Sequence, residues 1–331
     1  MGDEFQSAGV GPSQAREFPL PTPAWVPVRW PLKPRRRWYH SLPFHIVLFL
    51  LTVLTTLIVG THIEINYAQN LPVFDWEVSR AYFQALWRHP GLLVLGVPFS
   101  FTLLSILLAH ELGHYLTCRH YGIHATYPYF IPAPTLIGTL GAFIRIKSPI
   151  VTRRELFDVG ISGPLAGFVI AIPALTLAIL HSKAASPASV PESISLGNPL
   201  ALILLTHLLR PGMSTAQIAL HPLGCAAWVG LFATALNLLP VGQLDGGHIL
   251  YAVIGDKHRN ISRGFLLVLL PLGIFCWIGW MVWGAILLFL GLRHPVVIEP
   301  AETLGRGRKI LALIAALILA LTFVPTPFSI R

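Results

Sequence analysis

Six stretches of this chain carry long apolar runs: Leu42–Gly60, Gly91–Cys118, Gly160–Leu180, Pro222–Leu239, Gly264–Leu292 and Ile310–Phe323. A helix that crosses a bilayer needs about 20 such residues. Backbone inside lipid must satisfy its own polar groups, so these runs are expected to be helices. The apolar pattern of the fourth run resumes past Asp245, and a weaker run, Pro199–Leu209, is too short to cross alone and reads as re-entrant or interfacial. Charge agrees with this reading, since 11% of the 331 residues are charged against about 25% in a soluble protein. A globule of this size could not be wetted by so few charges. The fold class is therefore an all-α polytopic membrane protein, with six or more transmembrane helices and a small membrane-associated β-hairpin.

The net charge of +9 does not point to nucleic acid, because the basic residues sit in short clusters beside the apolar runs. That pattern is membrane topology and attraction to anionic lipid. Cys118, Cys225 and Cys276 are far apart and two of them lie in apolar runs, so they form neither a disulfide framework nor a metal knuckle. Residues 1–41 hold Pro-Leu-Pro-Thr-Pro and the run Arg35, Arg36, Arg37, with no apolar periodicity. They read as a disordered basic tail on the cytoplasmic side. Residues 42–331 form the membrane domain, and the first run is a retained anchor without a cleavage site.

Alternating from that tail, Thr61–Pro90 falls outside with Glu64, Asp75 and Glu77. The stretch with Arg145, Lys147, Arg153 and Arg154 falls inside, as does Lys257–Arg263. One crossing by Gly264–Leu292 would put Arg306, Arg308 and Lys309 outside, whereas a hairpin broken near Pro271 to Gly279 would keep them inside. The side of the C-terminus stays open at this point. Thr126–Ser148 is different in kind: Pro128, Pro132 and Pro134 hold the chain extended, Gly138 and Gly141 give a turn, and Ala142–Lys147 ends in period-two alternation. A short β-hairpin at the membrane boundary is expected.

His110-Glu111-Leu112-Gly113-His114 closes the second run. At 3.6 residues per turn the two histidines lie one above the other on a helix face. Two imidazoles so placed can bind one metal ion, and Glu111, turned by about 100°, can serve a water there as base without being a ligand. Each ionisable group at membrane depth costs a few kcal/mol, so three within five residues call for pairing or a metal. A third ligand is needed. Asp245 follows an apolar run in Asn237-Leu-Leu-Pro-Val-Gly-Gln-Leu-Asp-Gly-Gly-His248 and is taken as that ligand. His248, three residues on, is its rival or else a partner behind the ligands. Gly160, Gly163 and Gly167 form a smooth face expected to pack against the site-bearing helices.

His110-Glu-x-x-His114 with Asn-x-x-Pro-x-x-x-Leu-Asp-Gly over Asn237–Gly246 resembles the site-2 protease family of intramembrane zinc metalloproteases. Tyr129-Phe-Ile-Pro132, Gly138-Thr-Leu-Gly-Ala142 and Gly160-Ile-Ser-Gly-Pro-Leu-Ala-Gly167 also resemble its bacterial and plastid-like branch. The likeness covers a core over 91–295. It implies one Zn²⁺ per chain held by His110, His114 and Asp245, with Glu111 as general base. It further implies that Asn237 and Pro240 hold unwound substrate backbone, and that the substrates are transmembrane segments of membrane proteins. Many members carry a PDZ domain, for which the outer segment His181–His221 leaves no room, so the likeness is to a branch without one. The resemblance also points to a bacterial inner membrane. A substrate unwound for cleavage needs new hydrogen-bond partners, and the edge of Gly138–Lys147, with Gly138, Gly141 and Ile144, is expected to supply them by strand addition. A metal-ion transporter using the same three ligands is the alternative. It has no need of Glu111, and it would place more polar residues along helices that before His110 carry only Ser100, Thr102 and Ser105.

Overall fold

The computed structural model describes residues 41–73, 80–185, 194–291, 297 and 303–330. The basic tail expected over 1–41 lies, apart from Ser41, outside the described residues, as do Asp75 and Glu77. The membrane domain opens with α1 (Leu42–Ala68) and a short amphipathic α2 (Arg80–Arg88). A 3₁₀ stretch, Pro90–Gly96, then leads into α3 (Val97–His120). Next come β1 (Tyr129–Pro132), β2 (Thr139–Phe143), α4 (Arg153–His181), β3 (Lys183–Ala184), β4 (Ile194–Leu196) and α5 (Leu200–Leu209). The chain ends with β5 (Ile218–Ala219), α6 (Pro222–Leu238), α7 (Asp245–Ile254), α8 (His258–Phe275), α9 (Gly279–Leu290), α10 (Arg306–Thr322) and β6 (Phe328–Ile330).

Among the described residues three helices are long and apolar enough to cross a membrane: Leu42–Ala68, Pro90–His120 and Arg153–His181. The other apolar runs are cut shorter than their composition implied. Pro240 and Gly242 end the fourth run at Leu238, and a turn at Cys276–Ile278 splits the fifth into α8 and α9. Of the two readings left open for Gly264–Leu292, the hairpin is the one formed. Proline sits in the first turn of α1, α3 and α6, where its missing N–H costs nothing. α4 opens on a capping box, in which the Glu155 N–H donates to the Thr152 hydroxyl and the Thr152 N–H to the Glu155 carboxylate, each at 3.2 Å.

α3, α4 and α6 form the centre. Phe99, Leu103 and Ile106 of α3 interlock with Leu175 and Ile179 of α4 and with Trp228 and Leu231 of α6, all fully buried. Helices surrounded by lipid gain no hydrophobic drive from meeting each other, so close packing and polar ties must hold them. At one end of the bundle the Tyr67 hydroxyl donates to the His181 carbonyl (3.2 Å), joining the ends of α1 and α4. Two antiparallel ribbons, β3–β5 and β4–β6, belong to the segments at that end. The Trp280 indole at the start of α9 donates to the Pro325 carbonyl just past α10 (2.7 Å). At the opposite end Arg308, at the start of α10, pairs with Asp158 near the start of α4. The chain terminus therefore returns to the end where α4 finishes, which the sequence left open.

β1 and β2 form the expected hairpin, with Tyr129 opposite Phe143 and an irregularity between Phe130 and Pro132. β1 lies on α1, with the Phe130 ring 5.0 Å from that of Phe49 and Tyr129 4.2 Å from His45. Gly138, at φ +81°, brings its carbonyl within 2.6 Å of the Thr55 hydroxyl, which donates to it. A side chain there would meet the α1 backbone at 2.7 Å.

The terminal strand gives a direct test. Ser195 and Ser329 face each other across β4–β6, their hydroxyl oxygens 2.6 Å apart. A Ser195→Cys/Ser329→Cys chain should crosslink under mild oxidation, shown by a disulfide-linked peptide pair in mass spectrometry. Two freely alkylated thiols instead would contradict the pairing.

Candidate metal centre

Two successive turns in the C-terminal half of α3 carry His110, Glu111 and His114, all buried at 5–7% exposure in an apolar bundle. Their helix spacing stacks the two imidazoles so that the Nε2 atoms come within 3.1 Å. Asp245 arrives from a different part of the chain. The segment Leu239–Leu244 turns back on the end of α6, pinned by the Val241 N–H to the Leu239 carbonyl (2.7 Å) and by the Ser262 hydroxyl to the Pro240 carbonyl (2.8 Å). α7 then starts so close to α6 that a side chain at Gly246 would overlap the Leu238 carbonyl at 2.0 Å. Asp245, the first residue of α7, thereby places Oδ2 3.2 Å from His110 Nε2 and 3.3 Å from His114 Nε2.

These three donors form a nearly equilateral triangle. Tetrahedral zinc with bonds of about 2.0–2.1 Å sets neighbouring donors about 3.3–3.4 Å apart. Two neutral imidazoles and a carboxylate are also a zinc donor set. Among the described residues this is the one group of three metal-binding side chains that converge. His248 is not in it; its Cβ is turned towards α4, 3.1 Å from where a Cβ on Gly160 would stand.

The surroundings fix the ligands. His114 Nδ1–H donates to the Val159 carbonyl of α4 (2.7 Å), which sets the tautomer and aims Nε2 at the cluster. Gly163 makes the space, since a Cβ there would lie 2.1 Å from His114 Nε2. Gly113 does the same for the helix pair, because a Cβ would meet the Ser162 carbonyl at 2.4 Å. The smooth Gly160–Gly163–Gly167 face thus packs against α3 and α7, with Gly167 in ordinary contact with His110 at 3.4 Å. Val159 itself left no trace in the sequence, because it acts through a backbone carbonyl.

Glu111 lies alongside the triangle, close enough to interact with His110, His114 and Asp245, and faces the backbone N–H of Ile144. Asn237, the penultimate residue of α6, brings its amide nitrogen within 3.2 Å of His110 Nε2. Pro240 is on the turn that carries Asp245. Of the hairpin residues, Ile144 adjoins the centre and Gly141 is open to its surroundings, whereas Gly138 seats the hairpin on α1.

A buried His-Glu-x-x-His turn and an aspartate from a second segment, set among apolar helices, define a candidate metal centre. The sequence matches Peptidase family M50 over residues 98–278. The chain belongs to that family, the site-2 protease family. It is 30% identical over 298 residues to the probable zinc metalloprotease EGY1, chloroplastic, of Oryza sativa subsp. japonica, covering 85% of this chain and 50% of the relative. It is 32% identical over 276 residues to EGY2 of Arabidopsis thaliana, a probable zinc metalloprotease also named as chloroplastic, covering 80% and 47%. The chain thus spans about half the length of the curated relatives it matches. Their chloroplast names overturn the expectation of a bacterial inner membrane.

The cradle yields a sharp expectation. Gly163→Ala drives a methyl group into the His114 ring, so bound zinc should fall well below one per chain. Gly167→Ala, which meets only ordinary contact, should keep it. Metal analysis of both purified proteins checks this, and full zinc in Gly163→Ala would refute the cradle.

Proposed function

We propose that this chain is a zinc metallopeptidase that hydrolyses peptide bonds in or beside the transmembrane helix of membrane-protein substrates. The observation that carries it is the convergence of His110, His114 and Asp245 within 3.3 Å of one another, with Glu111 alongside, in a chain whose helices are apolar outside and in. Family membership supports the same reading. Zinc held there supplies Lewis acidity towards a water and the scissile carbonyl. Glu111 takes the proton of the attacking water and delivers it to the leaving amine. Asn237, at the rim beside His110, donates its amide N–H to substrate backbone or to the developing oxyanion. A transporter is not favoured, because the donors form one closed cluster and that reading gives Glu111 no task.

The domain has more than the three long crossings. α8 begins beside the end of α6, the α8–α9 turn lies beside the end of α10, and α10 begins beside the start of α4. This alternation supports α6, the α8–α9 hairpin and α10 as additional membrane segments, giving six or more.

A helical substrate must unwind before its carbonyl can be attacked, and its freed backbone must be paired again. β2 has a strand partner on one side only among the described residues. The Thr126 N–H donates to Arg145 (3.0 Å) and the Lys147 N–H to His124 (2.7 Å), so residues 145 and 147 point to the first strand. By alternation Ala142, Ile144 and Ile146 point outward, and Ile144 does so towards Glu111. This geometry supports addition of the unwound substrate along the outer edge of β2, next to the attacking water. Substrates that unwind easily, with Gly, Pro or Asn near the cut, are then preferred.

Glu111→Gln should retain zinc and fold while cleavage drops by about 10²–10⁴-fold, measured on a reconstituted single-span substrate; wild-type turnover in that variant would sink the peptidase reading. Ala142→Pro and Ile144→Pro should each slow cleavage several-fold without releasing zinc. The first leaves the neighbour of Glu111 untouched, so if both folded proteins cut at the normal rate the substrate does not pair with β2.

A further inference from the structure

Asp158 stands one residue before Val159, whose carbonyl orients His114, and it is gripped from two sides. Arg308 of α10 forks onto it, Nε to Oδ1 at 2.8 Å and a terminal nitrogen to Oδ2 at 2.6 Å. Tyr121, directly after α3, donates its hydroxyl to Oδ2 at 2.5 Å, and the Arg308 terminal nitrogen also reaches that hydroxyl at 3.5 Å. The three groups close a ring that joins α3, α4 and α10. Arg308 is not one of the converging metal-binding side chains and lies beyond the residues matched to the family.

The contact between α3 and α4 gives this ring a task. Where Gly113 meets Ser162 and Gly163 faces His114, the surfaces are smooth. Small residues let backbones approach closely, but they offer no knob at this end of the α3–α4 contact; Phe99, Leu103 and Ile106 interlock with Leu175 and Ile179 at the other end of the two helices. The His114–Val159 bond cannot fix it alone, since the imidazole can follow the carbonyl and so leave Asp245. A forked arginine–carboxylate pair is directional, and fixing register is the best-attested use of partly buried polar groups. Tyr121, the residue that caps α3, is seven positions after His114, so the two reach adjacent residues of α4 from the same side of α3.

We propose that Arg308, Asp158 and Tyr121 are positioning residues, which hold α4 in the rotation that presents the Val159 carbonyl to His114 and so tune the metal affinity and ligand geometry of the centre. This rests on the zinc reading of the site. Tyr121→Phe removes one hydrogen bond and no bulk, Arg308→Gln removes the fork, and Arg308→Lys keeps the charge without the fork.

The experiment measures zinc affinity by chelator competition, the visible spectrum of the Co²⁺-substituted protein and the thermal midpoint, on the full chain in detergent or nanodiscs. Tyr121→Phe is expected to weaken zinc binding about 3–10-fold, at or below the low end of losses of outer partners, and to shift the Co²⁺ bands. Its apo thermal midpoint should stay as in wild type. Arg308→Gln and Arg308→Lys should weaken binding alike, because charge without the fork does not restore register. Unchanged affinity and spectra in all three, with or without a lower midpoint, would overturn the proposal and leave the ring a merely structural tie. Failure of the wild-type chain itself to bind zinc would instead refute the metal reading on which it rests.

Discussion

Two helix backbones come within the reach of a single missing methyl group where Gly113 of α3 meets Ser162 of α4, and again where Gly163 faces His114. That crossing is what the metal centre depends on. It is close enough for an imidazole on one helix to find a main-chain carbonyl on the other, 2.7 Å away. α7 docks on the same glycine face at Gly160, so the helix that brings Asp245 is referenced to the helix that orients His114. In a bilayer, where apolar burial gives helices little reason to choose each other, such small-residue contacts and a few polar ties carry the specificity of packing.

The interior that results is costly in isolation. Three ionisable side chains within one turn, with an aspartate alongside, would each be expensive among apolar neighbours. They are tolerable because they are arranged around a shared point, where a cation is met by neutral imidazoles and one carboxylate. The breaks in the helices obey the same logic. Irregular backbone at Leu239–Leu244 persists at depth only because its polar groups find partners within the protein, among them the Ser262 hydroxyl.

Much of this was legible in the sequence, for identifiable reasons. His110, Glu111 and His114 are bound by helical periodicity, so their relation needs no tertiary knowledge. Asp245 could be picked out because a carboxylate beside Pro and Gly after an apolar run has few roles open to it besides ligation, and the three prolines of 128–134 announced the hairpin. Other features could not be read. Composition made each apolar run a candidate span, but whether a run is one long helix or a bent pair depends on packing. So the turn at Cys276–Ile278, and with it the end of the bundle to which the chain returns, is set by that packing. Val159 contributes a carbonyl that every residue type has, and Asp158 and Arg308 are 150 residues apart, with no local pattern linking them. Gly138 was read as part of a substrate edge, whereas its positive φ and its contact with Thr55 give it the job of seating the turn on α1.

The order of the ligands along the chain also bears on biogenesis. His110 and His114 leave the ribosome together, but Asp245 is made only after α4, α5 and α6, and Arg308 and β6 come later still. A nascent chain can therefore offer two imidazoles to a metal but not a third donor, and since metal binding and folding are coupled, firm loading waits until α7 has emerged and docked. Until then the three-donor cluster is incomplete. The third donor to the centre thus comes from a segment made well after the first two.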